Sequence, residues 1–407
     1  MRILLINHYA GSVYHGMEFR PYYMAREWVK RGNEVMIAAA DYSHLRKVNP
    51  EIQHDFTKET IDGITYLWIK TPKYHGNGAG RALNIAEFYF KLKSHAKKIA
   101  REFKPEAVIA SSTYPFDSYA AYKIAELSGG RFYFEIHDLW PLTQIEIYKM
   151  KTTNPYVRML QKAEDFSFKN AKRVISILPQ AYIHMEERGV SREKFTYVPN
   201  GVIPSESENK NGSCSQADTL SNYRKDGFFI AAYTGNHAAA NALDNFIKAA
   251  ALMRSEKIKF VLVGSGNEKD NLKKKLAKET SPDNIVFLDP VAKENMGLLL
   301  SNVDAAYMGL AKCRLFHYGV SPNKLFDYML AAKPVIYAVD ASNNPVEEAR
   351  CGVSASEGTP EAIAAAIRGL MSKSENERSE MGGCGREYVL KNHDYAALAG
   401  KFLDALK

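Results

Sequence analysis

Cysteine is scarce in this 407-residue chain, which contains four. The four lie far apart in the sequence, and no two of them form a Cys-x-x-Cys pair. A disulfide framework and a cysteine-based zinc site are therefore not expected. This usage is typical of a cytoplasmic protein whose thiols stay reduced, and the positions are Cys214, Cys313, Cys351 and Cys384.

Metal-binding motifs are absent as well. The sequence contains no Asp-x-Asp, no His-Glu-x-x-His and no paired cysteine and histidine residues. A metal-bridged diphosphate site is therefore not expected, and neither is a bound metal or another cofactor. If the protein binds an anion, the positive charge must come from side chains and from helix N-termini.

The sequence also lacks a long apolar stretch. A transmembrane helix needs about 20 apolar residues, and no segment approaches that length. At the N-terminus, in "MRILLINHYAG", a short hydrophobic run meets Asn and His at once, which is not the shape of a signal peptide. These absences predict a cytoplasmic protein without a membrane span.

What is present is typical of a globular protein, since 46% of the residues are hydrophobic and 25% are charged. At this length two domains of about 200 residues are expected. The net charge of +8 comes from residues 1–200, which contain 29 Lys and Arg against 21 Asp and Glu. This excess either solvates the surface or binds an anionic substrate or an anionic membrane. Nucleic acid is not expected, because no nucleic-acid-binding motif accompanies the charge.

Short apolar runs alternate with helical patterns along the chain, which is typical of α/β units with parallel sheets. The predicted strands are residues 2–7, 34–40, 65–70, 107–111, 131–137, 173–178 and 195–200 in the first half, and 228–235, 258–266, 284–290, 304–310, 334–340 and 352–356 in the second. The sequence therefore predicts two doubly wound, Rossmann-like α/β domains that face a cleft. Ligands are expected at the carboxyl ends of the strands.

Composition predicts the limits of the domains. Residues 201–226 are rich in Ser, Asn and Glu and poor in large apolar residues, which predicts a linker or a surface excursion. Near the C-terminus a glycine-rich break at residues 382–385 precedes a helical tail. We therefore predict an N-terminal domain over residues 1–200, a C-terminal domain over 201–385 and a tail helix over 386–407.

Two glycine-containing turns follow strands of the second domain. "GSGNEK" contains Gly264, Ser265 and Gly266, and "YTGNH" contains Gly235 and Asn236. Each is either a tight strand-to-helix turn or a place where backbone N–H groups approach a phosphate or a nucleoside. Because the turns follow successive strands, together they favour a nucleotide site.

Two segments of the first domain are candidate ligand contacts. "HYAGSVYHGMEFRP" follows the first strand and is either a surface loop or a ligand loop, in which Gly16 allows close backbone approach. Glu18 and Arg20 fall at the start of the following helix. "EIHDLWP" places His137 at the end of a strand, where a histidine can orient or stabilise a reacting group, although a lone histidine is more often structural.

The segment "GVSPNKLFDYMLAAKPVI" begins a helix. Ser321 is the predicted N-cap and Pro322 the first helical residue. Asn323 and Lys324 then fall in the first turn, and Asp327 lies one turn further on. A cation near the positive end of a helix is unfavourable. Lys324 therefore either points into solvent or binds an anion.

In order and spacing these segments resemble the GT-B glycosyltransferases of family 4, a large family of retaining enzymes. The matching runs are "GMEFRPYYMAREWVKRGNEV", "RVISILPQAYIHMEERGVSREKFTYVPNGV", "YTGN", "FVLVGSGNEKDNLK", "NIVFLDPVAKENMGLLLSNVDAAYM" and "SPNKLFDYMLAAKPVI". The resemblance covers nearly the whole chain. It implies the GT-B fold, with a C-terminal helix that crosses back to the N-terminal domain.

The chain departs from the family at two glutamates that lie eight residues apart. Asp327 takes the place of the second glutamate, and Gly319 takes the place of the first, so backbone at residues 317–321 would meet the donor sugar. The cations of the family's first nucleotide-domain turn are also missing. That absence leaves Lys324 as the counter-charge of the diphosphate.

The resemblance implies a metal-independent, retaining transfer of a sugar from a UDP-sugar to a saccharide linked to polyprenyl diphosphate. "SPNKLFDYM" and "NHYAG…GMEFRPYY" resemble amino-sugar transferases of bacterial surface-polysaccharide assembly (O-antigen and capsule), including L-N-acetylfucosamine transferases, which implies an N-acetylated amino sugar. His137, Lys324 and Asp327 are assigned to catalysis, and Glu18 and Arg20 to the acceptor loop. The other predicted donor contacts are Gly16, Gly235, Asn236, Gly264, Ser265, Gly266, Pro290, Val291, Ser321 and Asn323.

Two other functions stay open, a sugar-nucleotide 2-epimerase of the same fold and a non-catalytic nucleotide-sugar binder. The relation to membranes is open too. Residues 81–104 mix aromatic residues with seven cations, as in a helix that lies on an anionic membrane. The alternative is a helix that packs on the core and keeps a solvated basic face. The protein is accordingly expected in the cytoplasm, with peripheral binding to the inner face of the membrane as a possible addition.

Overall fold

The computed structural model describes residues 1–16, 19–76, 78–204, 214–278 and 283–407. These residues form two compact units. Unit 1 consists of residues 1–200, 317–321 and 395–407, and unit 2 of residues 201–316 and 322–394. Among the helices of these ranges, none is long and apolar enough to cross a membrane.

Unit 1 contains an eight-stranded sheet. Its strands are β1 (Arg2–Ile6), β2 (Glu34–Ala40), β3 (Thr57–Ile61), β4 (Ile64–Ile69), β5 (Ala107–Ala110), β6 (Arg131–Ile136), β7 (Val174–Ser176) and β8 (Phe195–Tyr197). The order across the sheet is β3-β4-β2-β1-β5-β6-β7-β8, and all neighbours are parallel except β3 and β4. The first strand is therefore central, and the order reverses between β1 and β5, as in a doubly wound fold.

Helices cover both faces of this sheet, which is why its central strands are continuous apolar runs. In unit 1 they are α1 (Phe19–Lys30), α2 (Ala79–Ser94), α3 (Ala96–Phe103), α4 (Asp117–Ser128), α5 (Leu142–Glu146), α6 (Pro155–Asn170), α7 (Ala181–Glu187) and α16 (Tyr395–Ala405). Leu4 and Ile6 of β1 pack with Phe88 and Leu92 of α2 in the largest core.

Unit 2 repeats the design with six parallel strands. They are β9 (Phe229–Thr234), β10 (Ile258–Val263), β11 (Ile285–Leu288), β12 (Ala305–Gly309), β13 (Val335–Ala338) and β14 (Gly352–Ser354), in the order β11-β10-β9-β12-β13-β14. Its helices are α8 (Ser215–Lys225), α9 (Leu243–Leu252), α10 (Lys269–Lys278), α11 (Met296–Ser301), α12 (Asn323–Leu330), α13 (Pro345–Glu348), α14 (Pro360–Met371) and α15 (Glu375–Asn392). The switch in strand order lies between β9 and β12.

Short 3₁₀ helices connect some of these elements. They span Arg192–Lys194, Ala239–Asn241, Lys293–Asn295 and Arg314–Tyr318. The Ala239–Asn241 turn leads from β9 into α9 and so lies beside the first glycine turn of unit 2.

Every predicted strand is found, but β3 was not predicted. Its sequence, "TKETI", is polar, and three of its five residues are exposed, because it is an edge strand that pairs only with β4. An exposed edge strand has no apolar run to predict it.

The glycine-rich break predicted at residues 382–385 is wrong, because α15 runs through it without interruption. A Cβ atom at Gly382 would lie 1.9 Å from the carbonyl oxygen of Ala332, and one at Gly385 would lie 2.9 Å from Cβ of Cys351. These glycines therefore let α15 approach its neighbours closely. The helix instead ends at Asn392, and α16 begins at Tyr395.

Helix α16 packs on α1 inside unit 1. The indole nitrogen of Trp28 donates a hydrogen bond to the carbonyl oxygen of Ala399 at 3.2 Å, and its ring lies 5.0 Å from that of Phe402. The predicted linker also differs from expectation, since α8 occupies residues 215–225 with Ala217 and Leu220 buried. Residues 205–213 of that linker lie outside the described ranges.

Candidate functional site

The candidate site of unit 2 lies at the carboxyl ends of β9 and β10, next to the point where the strand order reverses. Gly235 follows β9, and Gly264 follows β10. The two turns touch, because the N–H of Gly235 donates to Val263 and the N–H of His237 donates to Ser265. This is where ligands bind in open α/β sheets.

Glycine is required in these turns for two reasons. Gly264 has φ of +143°, and a Cβ atom there would lie 2.0 Å from the carbonyl oxygen of Gly235. At Gly266, with φ of +158°, a Cβ atom would lie 2.4 Å from the side-chain oxygen of Asn236 and equally close to the carbonyl oxygen of His237. Both left-handed backbone and contact between the turns therefore exclude other residues.

Helix α12 begins differently from the prediction. Ser321 is not its N-cap, because the helix starts at Asn323 and Pro322 occupies the capping position in an extended conformation. The Ser321 hydroxyl instead accepts the N–H of Asn200 at 2.9 Å, and the Ser321 carbonyl accepts the amide of the Asn200 side chain at 2.7 Å. Ser321 thus holds the chain segment ahead of the helix.

Lys324 does not point into solvent. Its ammonium donates to the hydroxyl of Tyr233 at 2.8 Å and to the side-chain oxygen of Asn241 at 2.6 Å. It also lies 4.6 Å from the centre of the Tyr233 ring, and a Cβ atom at Gly235 would be 3.7 Å from it. Burial lowers the pKa of Lys324 to about 8. The lysine is therefore a partly desolvated cation beside the first glycine turn, held there by neutral groups.

Several residues of this site were not predicted. Tyr233 and Asn241 hold Lys324, and the Tyr233 hydroxyl donates on to the carbonyl oxygen of Asn236 at 2.7 Å. Lys269 donates to the carbonyl oxygen of Gly264 at 2.9 Å and contacts Asp289 at 3.1 Å. Lys269 directly follows the "GSGNE" motif, so it could have been predicted from the sequence. No local sequence pattern marks Tyr233 or Asn241.

His237 is a further unpredicted residue. It is fully buried behind the glycine turns, with its Nε2 atom 3.4 Å from where a Cβ atom of Gly264 would be. Burial lowers the pKa of His237 to about 4, and the charge of Lys269 adds to the effect. The imidazole is therefore neutral at neutral pH, and it adds no positive charge to the site.

The structure brings together the predicted contacts of the two turns with Lys324. Asp327 lies on α12 one turn after Lys324 and is half-buried, whereas Asn323 is exposed at the start of the helix. Pro290 and Val291 follow β11, next to the Asp289 that Lys269 contacts. Gly16 and Ser321, which were also predicted to contact the donor, belong to unit 1, whereas the other positions predicted for the nucleotide lie at one edge of the unit 2 sheet.

The candidate site of unit 1 centres on Glu135 of β6. The Arg20 guanidinium lies 2.9 Å from this carboxylate, and the Ser111 hydroxyl donates to it at 2.6 Å. Nε2 of His137 lies 3.3 Å from Glu135 and 2.9 Å from Ser111. Burial alone would raise the pKa of Glu135, but the charges of Arg20 and His137 and the hydrogen bonds lower it to about 2.

Arg20 belongs to this network rather than to a loop. It lies on α1 and is 7% exposed. Beyond Glu135 its guanidinium donates to the carbonyl oxygens of Val198 and Pro199 at 2.8 and 2.5 Å. Arg20 therefore joins α1 to β6 and to the segment after β8, which does not fit the acceptor contact that was predicted for it.

The loop after β1 is held by local hydrogen bonds. Gly16 has φ of +77°, and a Cβ atom there would lie 2.9 Å from the side chain of Lys47. The carbonyl oxygen of His15 accepts the N–H groups of Lys47 and Val48 at 3.0 and 3.3 Å. Glu18, the other residue predicted for this loop, lies outside the described ranges.

The basic segment at residues 81–104 forms most of α2 and all of α3. Phe88 and Leu92 are buried in the core of unit 1, whereas Phe90 is 63% exposed. Lys91 pairs with Asp55 at 2.8 Å. The interpretation as a helix that packs on the core with a basic outer face therefore fits most of this segment.

Within the described ranges, no three His, Cys, Asp or Glu side chains come close enough together to hold a metal ion.

Comparisons with known proteins agree with this architecture. The sequence profile of "Glycosyltransferase Family 4" matches residues 14–206, and that of "Glycosyl transferases group 1" matches residues 229–373. Among curated proteins, the chain is 23% identical over 319 residues to "Probable glycosyltransferase WbjE" of Pseudomonas aeruginosa. The match covers 76% of this chain and 75% of that protein.

Solved structures share the fold over the whole chain. HepE of Anabaena, solved in complex with UDP and glucose, superposes with a TM-score of 0.67 at 14% identity, covering 100% of this chain and 99% of HepE. WaaG, described as a glycosyltransferase involved in lipopolysaccharide biosynthesis, has the same TM-score and identity with 100% of both chains covered. The predicted GT-B fold of two parallel-sheet α/β domains is confirmed.

Proposed function

We propose, from the premise that the chain belongs to glycosyltransferase family 4, that it transfers a sugar from a UDP-sugar to a saccharide linked to polyprenyl diphosphate. The nucleotide is assigned to unit 2. Support comes from the glycine turns at the carboxyl edge of its sheet and from HepE, whose structure of the same fold holds UDP and glucose.

One observation carries the proposal, the position of the Lys324 ammonium. It is partly desolvated and its partners, Tyr233 and Asn241, are neutral. A lysine in such a place is stabilised by an anionic ligand. When a glycosidic bond to a nucleoside diphosphate breaks, negative charge grows on the leaving phosphate. A cation already in place then stabilises the transition state more than the ground state.

The nucleoside is assigned to the neighbouring positions. Asp327 lies one turn after Lys324, and a carboxylate that only accepts hydrogen bonds suits the two hydroxyls of a ribose. Backbone at Gly264–Gly266 and at Pro290 and Val291 lies at the same sheet edge and would meet the base. Asn323 and the first N–H groups of α12 would add to the hold on the diphosphate.

In unit 1 we assign His137 to the transfer step. The ionised Glu135 and the Ser111 hydroxyl fix the orientation of its ring, which is what a residue that stabilises a reacting group requires. The transfer is proposed to retain the anomeric configuration and to need no metal.

The donor sugar and the pathway are proposed from the family. We assign an N-acetylated amino sugar as donor and bacterial surface polysaccharide (O-antigen or capsule) as product. The similarity to WaaG, which acts in lipopolysaccharide biosynthesis, supports this assignment. We further propose that the protein works in the cytoplasm, at the inner face of the membrane that carries the acceptor.

A ligand panel tests the nucleotide site. Thermal shift measurements with UDP, GDP and ADP should show stabilisation by UDP, and Lys324→Met should weaken it. Lys248→Met is the matched control, because Lys248 is an exposed lysine of the same unit. Equal stabilisation of Lys324→Met by UDP would remove the basis of the proposal.

The reaction is tested separately by following a UDP-sugar by NMR. A transferase leaves the donor unchanged until an acceptor is added and then releases UDP. An epimerase of the same fold would convert the UDP-sugar to its C2 epimer without acceptor, and a non-catalytic binder would do neither. Either of those results would replace the proposed function.

A further inference from the structure

The amino group of Lys324 is placed for a chemical reaction as well as for binding. Both of its hydrogen-bond partners are neutral, the Tyr233 hydroxyl at 2.8 Å and the side-chain oxygen of Asn241 at 2.6 Å. Such partners hold the side chain in one position without stabilising its charge as a carboxylate would. The neutral amine, which is the nucleophilic form of lysine, is therefore easier to reach here than at a lysine on the surface.

The titratable groups around Lys324 do not restore its charge. The Tyr233 phenol keeps its proton because burial raises its pKa. His237 is neutral because burial and the charge of Lys269 lower its pKa to about 4. Asp327, the acid one turn further along α12, does not offset the effect of burial, which lowers the pKa of Lys324 to about 8. About a quarter of these side chains are therefore neutral amines at about pH 7.5, compared with about one in a thousand for an ordinary lysine.

Donors for a phosphate lie beside this amino group. A Cβ atom at Gly235 would be 3.7 Å from Nζ of Lys324, so the backbone of the first glycine turn approaches the amine closely. The second glycine turn touches the first. Within the described ranges, the N–H groups of Asn236, Ser265 and Gly266 have no acceptor in the protein. Free N–H groups in such turns bind phosphate oxygens, so a reagent that carries a phosphate would be held next to the amine.

We propose that Lys324 is a modification site, at which a small acyl phosphate transfers its acyl group to Nζ. The neutral nitrogen attacks the carbonyl carbon, a C–N bond forms, and the bond from that carbon to the phosphate oxygen breaks. Inorganic phosphate leaves with the electron pair of the broken bond and takes the proton that the nitrogen gives up. The product is an N-acyl lysine, which carries no charge.

Acylation would regulate the donor site. It removes the cation that the proposed function assigns to the diphosphate, so this consequence rests on that function, whereas the reactivity of Lys324 rests on its surroundings alone. UDP and the acyl phosphate would compete for the same N–H donors, and a protein that is saturated with donor would be protected. The modification would therefore lower transfer when acyl phosphate is abundant and the nucleotide sugar is scarce.

Mass spectrometry of the full chain after treatment with acetyl phosphate tests the site. At about pH 7.5 Lys324 should be acetylated about tenfold faster than Lys248, an exposed lysine of the same unit. With N-hydroxysuccinimide acetate, which carries no phosphate, the ratio of the two rates should be smaller. Equal rates at the two lysines, or the same ratio with both reagents, would overturn the proposal.

A variant tests the surroundings of the amine. Asn241→Asp replaces the neutral oxygen at 2.6 Å from the ammonium by a carboxylate oxygen, which raises the pKa of Lys324 and should slow its acetylation about tenfold. Asn222→Asp, at an exposed asparagine of the same unit, should react like wild type. The pH profile of wild type gives the same test without a substitution. The rate at Lys324 should level off above about pH 8 while that at Lys248 still rises, and parallel profiles would contradict the inference.

UDP separates this inference from the proposed function. Bound UDP should slow the acetylation of Lys324, and the acetylated protein should bind UDP as weakly as Lys324→Met does. Fast acetylation of a protein that does not bind UDP would leave the modification site intact and remove the proposed function. UDP binding by a protein in which Lys324 reacts no faster than Lys248 would do the reverse. Equal UDP affinity before and after acetylation would overturn the regulation of the donor site.

Discussion

In unit 1 the buried Arg20 has a carboxylate partner at 2.9 Å, whereas in unit 2 the ammonium of Lys324 is held by a phenol and an amide. The two cations lie near the carboxyl edges of similar parallel sheets. The pKa shifts at the two sites reflect this difference in partners. In unit 1 the pKa of Glu135 is lowered to about 2, although burial opposes this, and in unit 2 burial lowers the pKa of Lys324 to about 8.

On the proposed function, this difference separates a site that is complete within the protein from one that binds an anionic ligand. Unit 1 neutralises its buried cation inside the protein, so its network fixes side chains, above all the His137 ring. Unit 2 keeps a cation whose charge is costly until an anion arrives. If unit 2 binds the donor as proposed, the Lys324 site gives up stability for affinity, whereas the network of unit 1 supports the fold.

Breaking the pair in unit 1 should have the largest effect. Glu135→Gln leaves the Arg20 guanidinium buried beside a neutral amide, so we expect the free energy of unfolding to fall by about 3–5 kcal/mol. Because the pKa of Glu135 is lowered, the pair stabilises the fold above about pH 4.5 and loses this contribution as pH falls toward 2. Urea unfolding at several pH values measures both.

The matched control is Glu126→Gln. Glu126 pairs with Lys123 at 3.5 Å, but both side chains are about half exposed. Its loss should cost at most about 0.5 kcal/mol. A similar effect of the two substitutions would contradict the difference between a buried and an exposed pair.

His137→Ala should affect transfer without affecting the donor site. We expect kcat to fall about 100-fold and the dissociation constant of UDP to stay unchanged, because His137 belongs to unit 1 and the assigned nucleotide contacts are in unit 2. Turnover assays and calorimetric titration with UDP measure the two quantities. His75→Ala, at an exposed histidine of the same unit, should change neither. Weaker UDP binding in His137→Ala would contradict this division of roles.

Lys324→Met should give the opposite result. UDP affinity should fall about thirtyfold, or about 2 kcal/mol, as expected for a hydrogen bond to a charged group. The thermal midpoint without ligand should not fall, since the lowered pKa of Lys324 shows that its charge is disfavoured in the fold. A large loss of stability would show that Lys324 is structural.

The alternation of strands and helices was predictable because buried parallel strands are continuous apolar runs. The side-chain contacts around Lys324 in unit 2 were not predictable. Lys324 meets Tyr233 and Asn241, which lie 91 and 83 residues earlier in the chain. Pairings over such separations leave no local pattern, although the cation at the start of α12 already marked the residue itself.

The glycines also show that contacts with distant residues leave no local pattern in the sequence. The positive φ values of Gly235 and Gly264 agree with the turns predicted there. Gly382 lies in an ordinary helix, where its lack of a side chain serves the contact with Ala332. A sequence shows where glycine occurs, but whether it serves a turn or a close approach depends on the distant partner.

The smallest effect concerns the pH dependence of UDP binding. A diphosphate beside the Lys324 ammonium favours its charged form, so its pKa is higher in the complex than the value of about 8 in the free protein. The dissociation constant should therefore change little near pH 7 and should rise above pH 8, approaching tenfold per pH unit. The free energy of unfolding of the ligand-free protein should change with pH in the favourable direction instead. The unfolded chain keeps the Lys324 proton up to the ordinary pKa of 10.5, whereas the folded chain loses it near pH 8. Stability should therefore rise between about pH 8 and 10.5.

Calorimetric titration with UDP between about pH 7 and 9, in two buffers of different ionisation enthalpy, measures this linkage. Near pH 8 and above, wild type should take up a fraction of a proton on binding, because the complex holds a proton that the free protein has begun to lose. Lys324→Met has no such proton, so its weaker binding should be independent of pH over the same range. Equal pH profiles of the two proteins would mean that Lys324 does not face the diphosphate. Arg20, which is paired with Glu135, would then still be neutralised inside the protein, but Lys324 would not be a cation that is neutralised by the donor.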